Sequence, residues 1–278
     1  MVDRTSHRRI LVGAVVACVA MTAASVQAQS LIWSVPEQDG TYVQYEGSYK
    51  NVQRRPENAL GDLSREWRCE LTIKAVGTET ADVDGQEQKC RWLEIKSVVG
   101  TPSEQGVKPG PSGERIYKVL VPQSKVLGKV HDQDDIQVTF LPVVKGYRRI
   151  GNRDPEPLKE KVLAVSPMLT LLEYYDDLKA ESAAEDVTLP GAIGDVKATL
   201  WKGSQTKESS THRSTNQGQI WVSPQIPFGV ARWKVVLKQE TKDATEKRDQ
   251  FKDWAEITVE MSAIKQGTDG RSDLAELK

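Results

Sequence analysis

Glu66-Trp67-Arg68-Cys69-Glu70-Leu71-Thr72-Ile73-Lys74-Ala75 is the stretch that decides the fold class. Trp67, Cys69, Leu71, Ile73 and Ala75 fall on one side of it, and Glu66, Arg68, Glu70, Thr72 and Lys74 on the other. Successive side chains of a strand point to opposite faces, so this period of two reads as a β-strand with one packed and one wetted face. The pattern recurs near the end of the chain, where Ala255, Ile257, Val259, Met261 and Ala263 alternate with Glu256, Thr258 and Glu260. It recurs near the start as well, with Val43 and Tyr45 against Gln44 and Glu46.

Working outward, Asp84-Gly85 marks a turn into a partner strand over Cys90–Val99. Thr101–Gly113, dense in Gly and Pro, reads as a loop. Further strands are expected at Ile116–Val121, Ile136–Leu141, Asp195–Lys202, Gly218–Val222 and Val230–Glu240. One helix is predicted: Ser166-Pro167 suits an N-cap and first turn, and Met168, Leu171, Leu172, Tyr175 and Leu178 follow at helical spacing, ending near Lys179 or Ala180. These elements make a mainly β (β-rich α+β) chain. The architecture expected is a large curved antiparallel sheet or half-barrel with one or two helices packed on its concave side. One domain is expected over 29–265, with a helical insert at about 155–181. The polar tail 266–278 is expected to fray.

The first 28 residues have the anatomy of a secretory signal: Arg4, Arg8 and Arg9, an uncharged run from Ile10 to Ala24, and Val26-Gln27-Ala28 at the cleavage site. The apolar run is shorter than the ~20 residues a membrane span needs. The sequence therefore predicts an exported chain starting at Gln29, in the periplasm or outside the cell, with no transmembrane segment in the mature part. Val15-Val16-Ala17-Cys18 supplies a competing reading as a lipobox, which would lipidate Cys18 and tether the chain to a membrane.

The whole chain has 38 basic and 39 acidic side chains, a net charge of −1. Removing 1–28 takes away three Arg and one Asp, leaving 35 against 38, or −3. That balance gives no electrostatic basis for a nucleic-acid partner. With Cys18 in the signal, Cys69 and Cys90 remain. In an oxidising compartment they predict a Cys69–Cys90 bridge, the alternative being two buried thiols.

The search for chemistry returns little. His131 stands beside Asp132, Asp134 and Asp135, and His212 lies in a hydroxyl-rich run, Thr211–Asn216. Either could serve a hydrolase as a base, but both read more simply as polar turns. No Gly-x-Ser-x-Gly elbow, zinc spacing, phosphate loop or dinucleotide fingerprint is present. The sequence thus predicts no catalytic residue, metal or cofactor. Acids at Glu173, Asp176 and Asp177 read as the wet flank of the expected helix. Arg148 and Arg149, with Lys145, Arg153 and Tyr147, are candidates to hold a phosphate or carboxylate. Trp221, Phe228 and Trp233, in WVSPQIPFGVARW, are candidates for an aromatic wall beside an apolar pocket, or for core filling at a tight corner.

Trp221, Ser223, Pro227, Gly229 and the strand from Trp233 to Leu237 resemble lipoprotein-carrier and lipid-binding half-barrel proteins. Pro36-x-x-Asp39-Gly40-x-Tyr42-x-x-Tyr45-Glu46-Gly47 and Cys90-Arg91-Trp92-Leu93-Glu94 resemble uncharacterised exported proteins of planctomycete-type bacteria. The first resemblance implies a curved antiparallel sheet whose apolar concavity holds acyl chains or a partner's lipidated end. Three classes of function follow. The first is a non-catalytic envelope module binding a lipid, another apolar ligand or an envelope protein. The second is a structural or assembly component, and the third a hydrolase using His131 or His212.

Overall fold

Long period-two runs become long strands, and here they dominate the molecule. The computed structural model describes residues 31–104, 106–123, 140–159, 162–164, 170–173, 175–181 and 183–274. Its strands are β1 (Tyr42–Gln53), β2 (Leu63–Val83), β3 (Gln86–Ser103), β4 (Gly106–Pro122), β5 (Phe140–Pro142), β6 (Lys145–Ile150) and β7 (Glu156–Pro157). They continue with β8 (Val162–Ala164), β9 (Lys179–Ala180), β10 (Glu185–Leu189), β11 (Gly194–Glu208), β12 (His212–Val222), β13 (Val230–Thr241) and β14 (Lys252–Gly267). Twelve of them form one open antiparallel sheet in the order β10-β11-β12-β13-β14-β1-β2-β3-β4-β6-β7, with β9 alongside β11, while β5 and β8 pair separately. The sheet is a meander cut at its edges: the first and last long strands pair in its middle, and β7 and β10 form its rims.

The alternation predicted for 66–75 sits in β2. Cys69, Leu71, Ile73 and Ala75 enter the main core with Val43, Tyr45, Leu93, Trp233, Val259 and Met261. Asp84 and Gly85 turn between β2 and β3 at φ of +57° and +80°, flanked by the Val83–Gln86 pair. Two consecutive positive φ values define the tight hairpin turn that Asp-Gly favours. The loop expected over 101–113 is instead paired backbone: β3 and β4 continue to Ser103 and Gly106. The polar run around His212 is likewise strand, since β12 begins there.

The opposite face of β2–β4 carries a second, smaller core of Val83, Cys90, Trp92 and Leu120. Tyr147 stacks on Trp92 at 6.2 Å, and the ammonium groups of Lys118 and Lys145 lie 5.4 and 5.5 Å from the same ring. Tyr147, unlike Arg148 beside it, thus turns to this face.

Three further expectations are corrected. The helix expected through 171–178 does not run there: residues 171–173 are loop, and a turn follows at 176–177. Leu171 adopts φ +52°, a left-handed conformation that breaks a right-handed helix. Its carbonyl accepts from Asn216 Nδ2 (2.8 Å). Residues 165–169, including the expected Ser166-Pro167 cap, lie outside the described residues. The described parts of the 155–181 insert are short strands, loop and turn, with Thr170 alone in helical conformation. The complete helical element among the described residues is the 3₁₀ turn Arg248–Gln250.

The expected Cys69–Cys90 bridge is absent, and both thiols are free and buried. Register explains it. Cys69 lies opposite Val99, whereas Cys90 lies opposite Glu79. Ten residues of strand separate the two positions, roughly 30 Å at the usual rise, against a Cα separation of about 4.4–6.8 Å for a disulfide. Burial pushes the Cys69 thiol up to about 11, with Arg68 opposing the shift. Cys69 and Cys90 should therefore both be alkylated in denaturant without prior reduction, while Cys69 resists alkylation in the native protein. Recovery of a linked 69–90 peptide pair would contradict the register.

The tail, expected to fray, is docked as far as residue 274, and Leu274 is buried. Among the described residues no helix is long and apolar enough to cross a membrane.

Candidate functional site

The core-facing side of the sheet changes character along its strands, row by row. One cross-strand row reads Trp201, Ile220, Trp233, Met261, Gly47 and Cys69. The next reads Gly203, Gly218, Val235, Val259, Tyr49 and Trp67, followed by Gln205, Asn216, Leu237, Ile257, Asn51 and Arg65. The last is Lys207, Ser214, Gln239, Ala255, Gln53 and Leu63. An apolar floor thus runs out into a lip of amides and hydroxyls. Within that lip Asn51 Oδ1 and Gln205 Oε1 are buried with no hydrogen-bond partner among the described residues. Buried polar atoms of this kind are costly and mark places where a ligand or water completes the structure.

Two segments outside the sheet cover the floor. In the first, Leu31 and Ile32 are buried, and the Trp33 N–H donates to the Phe228 carbonyl (2.8 Å). The Trp33 ring meets Trp201 at 5.5 Å. The second is the strap of residues 171–173 and 175–178. Its Tyr175 ring lies flat against the Gly203–Gly218 pair, where a Cβ on either glycine would stand 2.5 Å from a Tyr175 atom. These glycines are needed for close approach, since any side chain there would expel the ring. The Tyr175 hydroxyl donates to Asn216 Oδ1 (2.8 Å), and Asn216 Nδ2 holds the Leu171 carbonyl. Burial pushes the Tyr175 phenol well above its ordinary range, so it stays a neutral donor.

The candidate residues are distributed as follows. Phe228 and Trp233 are fully buried, and Phe228 holds φ +65° at the corner joining β12 to β13. Trp221 is half-buried, with the Arg232 guanidinium 5.0 Å over its ring. Arg148 and Arg149 lie on β6, with five strands of the sheet between it and β13, so the two candidate groups do not form one site. Being adjacent on a strand, the two arginines face opposite ways. Arg148 pairs with Glu156 (2.7 Å) and Arg149 with Glu114 (2.9 Å). The Glu114 carboxyl is held below its usual range: its burial acts the other way, but Lys96 and Arg149 outweigh it.

His131 and its acidic neighbours lie outside the described residues. His212 Nδ1 is 2.8 Å from the Thr211 hydroxyl rather than against a carboxylate. It lines a cleft of about 330 Å³ at the ends of β11–β14, with Lys207, Glu208, Arg213, Gln239, Glu240 and Trp254 among its walls. The acids expected on a helix flank serve the strap instead: Glu173 pairs with Lys207 (2.5 Å), and Asp177 accepts from the Ser204 N–H (2.6 Å). Among the described residues no group of three or more His, Cys, Asp or Glu could hold a metal ion.

Sequence reasoning missed the Tyr175–Asn216 clasp and the Trp254 cleft. The clasp left one signal, a glycine in the interior of each of two neighbouring strands, which marks a close approach. Trp254 stands directly before an alternating run and gives no sign of where it points.

No protein-family model matches the chain, and no curated protein matches it. Among solved structures it is similar to a "putative lipoprotein" from Parabacteroides distasonis ATCC 8503, at 12% identity over 82% of this chain and 97% of that one, with a TM-score of 0.31. At that score the likeness carries no argument about fold or function.

Proposed function

We propose that the chain is an exported, non-catalytic binding module of the cell envelope. It takes an apolar ligand, or an apolar segment of a partner protein, on the core-facing side of its sheet. The mature domain begins at Gln29, or at Cys18 if the lipobox is used, and Phe228 and Trp233 form the aromatic end of the floor, with Trp221 next to it under Arg232. The observation that carries this reading is the strap. An apolar floor is covered by a short segment whose Tyr175 is clasped by the buried Asn216, with Glu173 and Asp177 tying its exposed edge to Lys207 and Ser204. Such a cover can be displaced by a ligand that binds the floor better than the strap does. The unpartnered Asn51 and Gln205 oxygens beside the floor suit the polar end of an amphiphile.

Asn216→Ala removes the strap's two hydrogen bonds to Asn216, leaving the contacts of Glu173 and Asp177 at its exposed edge, and raises the fraction of molecules with the floor uncovered. Apparent affinity scales with that fraction. A dansylated fatty acid should therefore bind the variant several-fold more tightly than the wild type, and native mass spectrometry after gentle extraction should show co-purified lipid. If neither protein takes up the probe or carries lipid, the carrier reading fails. A structural or assembly role then stands in its place, which the complete burial of Trp233 and Phe228 in the chain's own core already favours.

A further inference from the structure

We infer that the cleft at the outer ends of β11–β14, where the polar lip of the sheet face ends, is a binding site for a neutral saccharide beyond the apolar floor. Trp254 carries the argument first. Of the large apolar side chains described, only Leu60, Val99 and Trp254 are exposed, and Trp254 is the one aromatic, at 43%. Its position is built by a bulge: Gln239 pairs with Ala255 and Glu240 with Asp253, leaving Trp254 as the extra residue of β14. A bulge of this kind re-aims a side chain and is common beside binding sites. Here it puts the indole in the wall of a cleft that also holds His212, Gln239, Arg213 and Glu208.

The charges of the cleft decide the ligand's class. Arg213 is held by Glu208 (2.9 Å) and Glu240 (3.7 Å), and its guanidinium lies 4.2 Å over the Phe251 ring. Arg248 is held by Glu208 (2.8 Å), and Lys207 by Glu173 (2.5 Å). The cations are thus already neutralised by the chain's own carboxylates, so an anionic ligand would have to break ion pairs to enter. A polyol would not. Its hydroxyls each donate and accept, matching planar guanidinium, carboxylate and amide groups already fixed in place. The apolar C–H face of a sugar ring meets the electron-rich face of an indole favourably. The hydrogen bonds from Arg248 and Arg213 hold the Glu208 carboxyl below its usual range, so it remains an acceptor throughout neutral pH. A volume of about 330 Å³ falls at the small end of ligand sites.

The full chain should be titrated with cellotetraose, maltotetraose, xylotetraose and chitotetraose, read by tryptophan fluorescence and calorimetry. One series should saturate, with little dependence on salt. Trp254→Ala, expected to keep the wild-type circular dichroism because the side chain is exposed, should weaken binding by about tenfold or more, the scale of one lost ring contact. Gln239→Ala should weaken it less, and Leu60→Ala, at an exposed loop position that does not line the cleft, should leave it unchanged. The inference is overturned if no oligosaccharide saturates, if folded Trp254→Ala binds as well as wild type, or if only sulfated or uronic chains bind and salt releases them.

Discussion

Trp233→Ala is expected to lower the unfolding free energy by about 3–5 kcal/mol, the range for deleting a large aromatic side chain from a closed core. Trp233 is fully buried, between Ile220 and Met261 on the neighbouring strands. Tyr45 meets its ring edge-on at 5.0 Å and 68°, and the Tyr45 hydroxyl is itself fixed to the Val230 carbonyl (2.8 Å). The surroundings are therefore held by strand pairing and cannot collapse into the cavity. Trp233→Phe separates packing from polarity. The indole Nε1 is buried with no partner among the described residues, and an unsatisfied buried donor costs about 1–3 kcal/mol. Phenylalanine loses part of the ring but also removes that donor, so its cost should stay below about 1.5 kcal/mol. Urea unfolding at constant m value measures both. A Phe variant as damaging as Ala would mean that the indole N–H is bonded in solution.

Much of this was legible because strand faces are written in the period-two pattern: the alternation of 66–75 and 255–263 found both β2 and β14 and their buried sides. Register was not legible. Both cysteines sit on well-predicted strands, yet which residues oppose one another depends on where the hairpin turns and on a bulge between Ala75 and Thr78. Counting inward from Asp84-Gly85 would have placed Cys90 opposite Glu79, and the bridge would have been rejected. The strap shows a different limit. Its leucines and tyrosine carry a helical spacing, but its backbone groups are satisfied by Asn216 and by the Thr170 hydroxyl, which accepts from Leu172 N–H (3.2 Å). Tertiary partners replaced the helix ladder. The outer face of β2–β4 misled in the opposite direction, since Lys74 reads as a wetted position although the tail covers it and its partner Glu94.

That covered pair gives the second large effect. Lys74, Glu94, Lys118 and Tyr147 form a cross-strand row over β2, β3, β4 and β6. Glu94 is fully buried and surrounded by donors: Lys74 Nζ (3.0 Å), the Ser272 hydroxyl (2.6 Å), Asp273 N–H (2.9 Å) and Leu274 N–H (3.2 Å). Lys74 in turn holds the Arg271 carbonyl (2.9 Å) and the Asp273 carboxylate (2.8 Å). Breaking a buried ion pair from one side costs about 3–5 kcal/mol. Glu94→Ala should fall at the lower end, because Lys74 keeps Asp273 and the freed tail amides reach water. Glu94→Gln should fail nearly as badly despite its shape. Every neighbour is a donor, and one end of the amide donates too. In both variants the tail should detach, so trypsin should cut after Arg271 where it spares the wild type. Burial alone would lower the Lys74 pKa, but the hydrogen bonds to Asp273 and Glu94 outweigh it and the net shift is upward. A raised lysine stabilises the fold fully below its unfolded pKa, and that contribution fades as pH rises through the folded value. Tail protection should hold across the neutral range and weaken only under strongly alkaline conditions. Wild-type protection in Glu94→Gln would show that the buried carboxylate is not what anchors the tail.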